Sequence, residues 1–415
     1  MTPSAGSART VRLAYLVSHP IQYQAPLLAR IAREPGIDLT VFFASDHSLR
    51  PFLDPGFGVE VSWDIPLLEG YRSHFLPRHF GAAPLKDVSA FSPISRGIRR
   101  ALTHADGSPA FDALWVHGYA TVNSLLAIFH ANSLGIPVLL RADMWLGDRP
   151  RSPFKLAVKQ LFLRLLRNGI TATLPVGSVN AAYWRHYFGD DFPQFLMPYA
   201  VDNKYFARQA AAAAPQQTAL RAELGLEPGR PVILFASKLQ SRKHADDLVQ
   251  AYAYFLENRP ATSAPYLLIA GDGEERSRLE AHVGQLGLTG VRFLGFRNQS
   301  ELPRFFELAD VFVLPARHEP WGLIVNEAMA TGCAVIVSTE VGAHADLVTH
   351  GVEGCVFPAG NIAALTEALR TVFASPEVAR RMGESARRRI AHWTFEHNIR
   401  GLRQALAFAT HKIKA

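Results

Sequence analysis

The stretch RHEPWGLIVNEAMATGCAVIVS, residues 317–338, decides how the chain is read. The apolar run Val311–Pro315 before it reads as a strand, RHEPWG as a loop, LIVNEAMATG as a helix stopped by Gly332, and Ala334–Ser338 as a second strand. Strand, helix and strand in so short a span imply a crossover unit of a parallel sheet. Two carboxylates bracket the helix start: Glu319 in the loop, and Glu327 in about the second turn. A helix N-terminus presents free amides and a partial positive charge, a ready site for a phosphate. Carboxylates near helix starts also occur simply because they suit the dipole, so the rest of the chain must decide between the two readings.

Working outward, the same alternation fills the C-terminal half. Strands are expected at Val232–Ser237, Tyr266–Ala270, Val291–Gly295 and Cys355–Phe357 besides the two above. The N-terminal half has strands at Arg12–Ser18, Asp38–Ala44, Ala113–Val116, Pro137–Ala142, Ile170–Pro175 and Phe195–Pro198, with helical segments between. Residues 46–92, rich in Pro, Gly and aromatics, read as an insertion containing a hairpin, with weak strand signals at GVEVSW and YRSHFL. The tract ARQAAAAAPQQT, Ala207–Thr218, reads as a linker or a short connecting helix. The fold class is therefore α/β, with two doubly wound, Rossmann-like domains facing each other across a cleft where ligands bind at the strands' carboxyl ends. The expected boundaries are 1–205 for the first domain, 206–218 for the linker, 219–392 for the second domain and 393–415 for a terminal helix.

Bulk properties remove other classes. A chain of 415 residues, nearly half apolar, has enough for two or three cores and is not disordered. The N-terminus reads as a short strand, not a leader, and no apolar run approaches the roughly 20 residues of a transmembrane helix. Two cysteines, Cys333 and Cys355, fit a reducing compartment and offer no metal pattern; the expected location is the cytoplasm. The net charge is +7, and residues 1–200 carry 19 Lys/Arg against 14 Asp/Glu. Aromatics are not interleaved with these charges, and no helix-turn-helix or zinc finger is present, so nucleic acid is not an expected partner.

Around the helix start, LFASKLQSRKHADDLV sets Lys238 and Lys243 about a turn that leads into a helix near His244, a cationic clamp suited to a diphosphate. LLIAGDGEE puts Gly271 and Gly273 at the next strand end, where backbone can approach a flat base closely. VRFLGF ends a third strand in the same way, at Gly295 and Phe296.

Residues 230–375 resemble the nucleotide-sugar domain of the family-four retaining glycosyltransferases of GT-B fold. The two glutamates with seven residues between them, the preceding strand, the following EAMATGCAVIVS, and GVEGCVFPAGN match in order and spacing. The resemblance implies that Lys238 and Lys243 hold a donor diphosphate, that Glu327 binds the ribose and Glu319 the transferred sugar, and that the amides of Gly322, Leu323 and Ile324 bind phosphate and sugar. Gly271, Asp272, Gly273 and Phe296 would line the base, and His117, in LWVHG, would face the donor sugar from the first domain. The implied catalytic set is Glu319, His117, Lys243 and Lys238. The terminal segment WTFEHNIRGLRQALAFAT resembles the family's helix that crosses back to the first domain. The family needs neither metal nor cofactor, and no Asp-x-Asp ligand set contradicts this.

The chain departs from the family at four places. Lys238 stands where the family has Arg, His244 where it has Gly, YAVD where it has Asn-Gly-Val-Asp, and SHPIQYQAP replaces the glycine-rich loop after the first strand, which leaves the role of His19 open. The implied activity is retaining transfer of a sugar from a UDP- or GDP-linked donor to a glycan or lipid-linked acceptor, in bacterial envelope or exopolysaccharide synthesis. A glycosidase also uses two carboxylates, but it has no need of the cations that a departing diphosphate requires. The alternatives are a nucleotide-sugar epimerase on the same fold and a non-catalytic nucleotide-sugar-binding protein. A dinucleotide oxidoreductase is disfavoured, since neither first strand leads into Gly-x-Gly-x-x-Gly.

On the acceptor side, Arg141 and Asp143 in LRADMWLGDRPR end a strand facing the cleft and join His19 as candidates; an internal ion pair is the rival role for the first two. PRSPFKLAVKQLFLRLLRNG reads as an apolar helix with Lys155, Lys159, Arg164 and Arg167. These cations do not gather on one face, so a packed helix with solvated ends is expected, and peripheral contact with the inner face of an anionic membrane is the alternative.

Overall fold

The computed structural model describes residues 9–79, 89–147, 151–257, 259–260 and 263–412. Each half of the chain folds around a six-stranded sheet. The N-terminal sheet is built from β1 (Val11–Val17), β2 (Ile37–Phe43), β5 (Arg72–Phe75), β6 (Ala113–His117), β7 (Val138–Arg141) and β8 (Ala172–Thr173), in the order β5-β2-β1-β6-β7-β8. The C-terminal sheet is built from β9 (Val232–Ala236), β10 (Tyr266–Ala270), β11 (Val291–Gly295), β12 (Val311–Leu314), β13 (Ala334–Ser338) and β14 (Gly354–Phe357), in the order β11-β10-β9-β12-β13-β14. Every neighbouring pair runs parallel. Central strands such as Val232–Ala236 and Ala334–Ser338 are buried along their whole length, as continuous apolar runs covered by helices on both faces must be. In both sheets the order reverses beside the first strand, which opens a crevice at the strands' carboxyl ends.

Two segments differ from the sequence reading. The hairpin of the insertion is β3 (Phe52–Asp54) with β4 (Val59–Val61), whereas Arg72–Phe75 joins the main sheet parallel to β2; residues 80–88 of the insertion lie outside the described residues. Phe195–Pro198 is not a strand. It runs beside β8 with bonds from the Phe195 and Met197 amides to the Thr173 and Pro175 carbonyls at 3.0 and 2.9 Å, but prolines at 175, 193 and 198 remove the donors that would complete a ladder. Of the two readings of the alanine tract, linker or short connecting helix, the structure has the helix. Helix Asn203–Ala213, capped by Asp202, buries Phe206 in the C-terminal core and also buries Ala210, and it continues through a turn at Ala214–Gln216 into helix Gln217–Glu223, whose Leu220 joins the same core. Alanine has the highest helix propensity, and Phe206 and Leu220 dock the two ends of the segment on the core.

The terminal helix, Phe395–Lys412, buries Ile399, Leu402, Ala405, Leu406 and Ala409 against the N-terminal core. Gly401 lets it pass close by, because a Cβ there would fall 1.9 Å from the Leu196 carbonyl oxygen. Helix Pro153–Arg167 is not the packed element expected. Only Leu163 and Leu166 are buried, while Phe154, Leu161 and Leu165 are 77%, 61% and 64% exposed. Among the described residues, no helix is long and apolar enough to cross a membrane.

Candidate active site in the interdomain cleft

Loop 315–322 leaves β12 and enters helix Leu323–Thr331 through Gly322, whose φ of 86° is left-handed and whose Cβ would meet Val341 at 2.9 Å. No side chain caps this helix, so the amides of Leu323 and Ile324 keep their donor capacity toward the cleft. Trp321 anchors the loop from behind. Its indole donates to Asn326 at 2.9 Å, its ring stacks on Trp393 at 5.7 Å, and Asn326 in turn donates to the Tyr199 carbonyl at the domain crossover.

The two glutamates occupy opposite electrostatic environments. Glu319 accepts from Lys243 Nζ and from Arg242 at 3.0 Å. Burial alone would raise its pKa, but the two cations outweigh burial and hold it below the usual carboxylate range. Burial lowers the Lys243 pKa, with Glu319 opposing. Glu327 is 8% exposed, and burial lifts its pKa to about 8, with no cation or donor among the described residues acting against it. Arg242 was not singled out in the sequence; its one signal was adjacency to Lys243. His244, where a glycine was expected, has φ 50°, so the turn keeps the left-handed conformation that glycine favours.

Lys238 is engaged from the other domain. Its Nζ donates to both oxygens of Asp54 at 2.8 and 2.9 Å and lies 4.8 Å from the centre of the Phe57 ring. The glycines at 271 and 273 serve a different approach from the one expected. Added Cβ atoms would fall 1.9 Å from the Ser237 carbonyl oxygen and 2.5 Å from that of Leu239, so they let chain pass chain. Asp272 is bound to Arg276 at 2.6 Å. Phe296 meets Phe57 edge to face at 4.7 Å. A cavity of about 80 Å³ survives between Phe57, Ser237, Gly271, Arg297 and Ile324. A larger one, about 570 Å³, lies at the amino ends of the N-terminal strands, where Arg9 and Arg12 are already taken by Asp112. It is on the wrong side of the sheet for a cleft ligand.

From the first domain, His117 sits at the end of β6 with Gln24 Nε2 at 3.2 and 3.3 Å from its two ring nitrogens, and Tyr15 donates to Gln24 Oε1 at 2.6 Å. This buried chain orients the imidazole, and neither Tyr15 nor Gln24 carried a sequence signal. Burial, reinforced by Arg141 and His19, lowers the His117 pKa to about 3, so the ring is neutral at physiological pH. His19 bonds Ser18 at 2.9 Å and faces His47, and burial and that neighbour likewise hold it near 3. Asp143 reaches Tyr199 at 3.5 Å. Burial raises its pKa, and the charge of Glu319 adds to the effect. Arg141 does not face the cleft. It is 1% exposed and donates to the carbonyls of Met197 and Pro198 and to Asn398 Oδ1 at 3.0, 3.1 and 3.3 Å. It is a pin between β7, the crossover and the terminal helix, because a buried guanidinium must find acceptors and three converge there.

Two facing parallel-sheet domains with a terminal helix returning to the first are the architecture of the GT-B glycosyltransferases. Solved structures agree over nearly the whole chain. The match to Anabaena HepE in complex with UDP and glucose has a TM-score of 0.68 at 18% identity, covering 96% of this chain and 99% of that one. The match to a glycosyltransferase from Rickettsia africae has a TM-score of 0.71 at 14% identity, covering 96% and 98%. Residues 216–389 match the family described as glycosyl transferases group 1. Over 140 residues the chain is 38% identical to an uncharacterised glycosyltransferase of Methanocaldococcus jannaschii, covering 33% of this chain and 35% of that protein. Over 198 residues it is 30% identical to the D-inositol 3-phosphate glycosyltransferase of Nocardia farcinica, covering 46% and 44%. The matched stretch thus spans less than half the length of these curated relatives.

Proposed function

We propose that the protein transfers a sugar, with retention of anomeric configuration and without a metal, from a nucleotide-diphosphate sugar to a glycan or lipid-linked acceptor in envelope or exopolysaccharide synthesis. The observation that carries this reading is the polarised glutamate pair at an uncapped helix start. Glu319 is held ionised by Lys243 and Arg242, and Glu327 is buried with no partner among the described residues. A partnerless carboxylate in a cleft is suited to paired hydroxyls such as those of a ribose, and its cost of burial falls when they arrive. Lys238, Lys243 and the Leu323 and Ile324 amides would bind the diphosphate and stabilise the charge that builds on it as the glycosidic C–O bond breaks. The acceptor oxygen forms the new bond on the face the diphosphate leaves, and its proton passes to the departing phosphate. Glu319 would orient the sugar, and neutral His117 would present a hydrogen-bonding nitrogen to it from the opposite domain. Asp143, with His19 further along the same cleft wall, would meet the acceptor. The UDP and glucose bound by HepE support a uridine donor.

Thermal unfolding with UDP, GDP and ADP, on wild type and Glu327→Ala, tests the donor site. A nucleotide at about 100 times its Kd adds roughly 2.7 kcal/mol, and the shift should vanish in the variant. No shift with any nucleotide would end the reading. The exposed apolar turn of helix Pro153–Arg167, with Lys155 beside Phe154, supports peripheral contact with an anionic membrane from the cytoplasmic side.

A further inference from the structure

The hairpin β3–β4 lies across the mouth of the donor cleft, and its turn, Asp54–Gly58, reaches the groups assigned above to the nucleotide. Asp54 is buried, and both its oxygens are on Lys238, while the amides of Gly56 and Phe57 bond Oδ1 at 2.8 and 3.0 Å. The carboxylate accepts four hydrogen bonds from three donors, and the two from Lys238 are of the kind a donor phosphate would take. Gly56 lies so close that a Cβ there would stand 2.6 Å from the Lys238 side chain, so the turn and the lysine are in contact. The Phe57 ring enters the space between Gly271, Ile324 and Arg297 and packs on Phe296. What remains open, about 80 Å³, compares with roughly 300 Å³ or more for pockets that hold organic ligands. Just past the hairpin, Asn298 donates to the Ser62 carbonyl and Ser300 bonds Asp64, so the segment leaving β4 is also clasped to the second domain.

We propose that the Asp54–Gly58 turn is a built-in occupant of the donor site, with the Asp54 carboxylate on Lys238 in place of a donor phosphate and the Phe57 ring in place of part of the base. Nucleotide entry then requires the hairpin to leave, which couples donor binding to release of the clasp between the domains. The proposal rests on the donor-site reading above, and its consequence is quantitative. The apparent Kd is the intrinsic Kd divided by the fraction of molecules with the hairpin off.

The test uses the full chain with UDP and GDP. Asp54→Asn keeps the carbonyl oxygen that holds the turn amides and removes the charge from Lys238; Phe57→Ala removes the ring. Each should tighten the Kd measured by calorimetry, by about tenfold where the closed form holds nine molecules in ten. Hydrogen exchange on the wild type supplies the second readout. Nucleotide should protect the amides of 322–327 and expose those of 52–64. Protection at 322–327 with 52–64 unchanged or more protected, or weaker binding by Phe57→Ala, would overturn the proposal and leave the donor site standing, with Phe57 a wall of the base pocket. No protection at 322–327 with either nucleotide would overturn the donor-site reading and the proposal with it.

Discussion

Replacing Glu327 by Gln should abolish a pH dependence of stability that the wild type must show. The group's ordinary pKa is 4.5, and burial in the fold lifts it to about 8. Below 4.5 the carboxyl is protonated in both the unfolded and the folded chain, and the fold bears no charge penalty. Between 4.5 and 8 the unfolded chain ionises while the folded one stays protonated, so stability falls as pH rises, by about 1.4 kcal/mol per unit. Above 8 both forms are ionised and the loss is complete, at about 4 to 5 kcal/mol. Glu327→Gln, neutral and of the same shape, lacks this term and should gain about 3 kcal/mol on the wild type at pH 7. Urea unfolding at pH 5 to 9 on both proteins checks this, and the difference between them should widen to pH 8 and then level. Parallel curves would refute the reasoning, because they would mean that the carboxylate is solvated or paired in the fold. The same linkage reaches function. Ribose hydroxyls donate best to the ionised carboxylate, so nucleotide affinity should rise with pH from about 6 to 8 in the wild type and be flat in the variant.

Lys243→Met leaves Glu319 buried with Arg242 alone. It should destabilise the protein by about 3 kcal/mol, the lower end for breaking a buried pair, and should abolish sugar transfer; unfolding curves and a product assay read both. Gln24→Leu strands the Tyr15 hydroxyl and the His117 ring. It should cost about 1–3 kcal/mol and lower turnover more than it raises the KM for the donor, which steady-state kinetics separates. Arg141→Met frees two carbonyls and Asn398 from one donor and should cost about 3 kcal/mol or more in denaturant unfolding. Phe154→Glu with Leu161→Glu should cut co-sedimentation with phosphatidylglycerol vesicles at least severalfold while leaving Tm within about 1 °C, since exposed positions move stability by under about 0.5 kcal/mol.

Most of the fold was legible because it is written in short-range pattern. Apolar runs such as VILFA and YLLIA, separated by helical periods, announce parallel strands whatever lies elsewhere in the chain. Elsewhere context overrules pattern or decides between readings. Phe195–Pro198 has a strand's composition but proline neighbours, and the alanine tract, open in sequence between linker and short helix, is helical because Phe206 and Leu220 on either side of it find a core. The exposed apolar turn of helix Pro153–Arg167 was beyond reach, since sequence shows that residues are apolar and not whether anything covers them.

The sequence by itself determined the two domains, the helix start between β12 and β13, and the spacing that sets Glu319 and Glu327 about it, because each of these depends on residues within a turn or two of one another. Only the tertiary structure decided which charge meets which. Asp54 reaches Lys238 from 184 positions away, and Asn398 reaches Arg141 from 257. An arginine at a strand's end looks the same in sequence whether it opens on a cleft or pins three segments together. The same holds for the glutamates. The pKa of one is lowered and that of the other is raised to about 8, because Lys243 and Arg242 close on the first and no described cation closes on the second. That difference is made by packing, through the desolvation of each carboxylate and the cations within its reach.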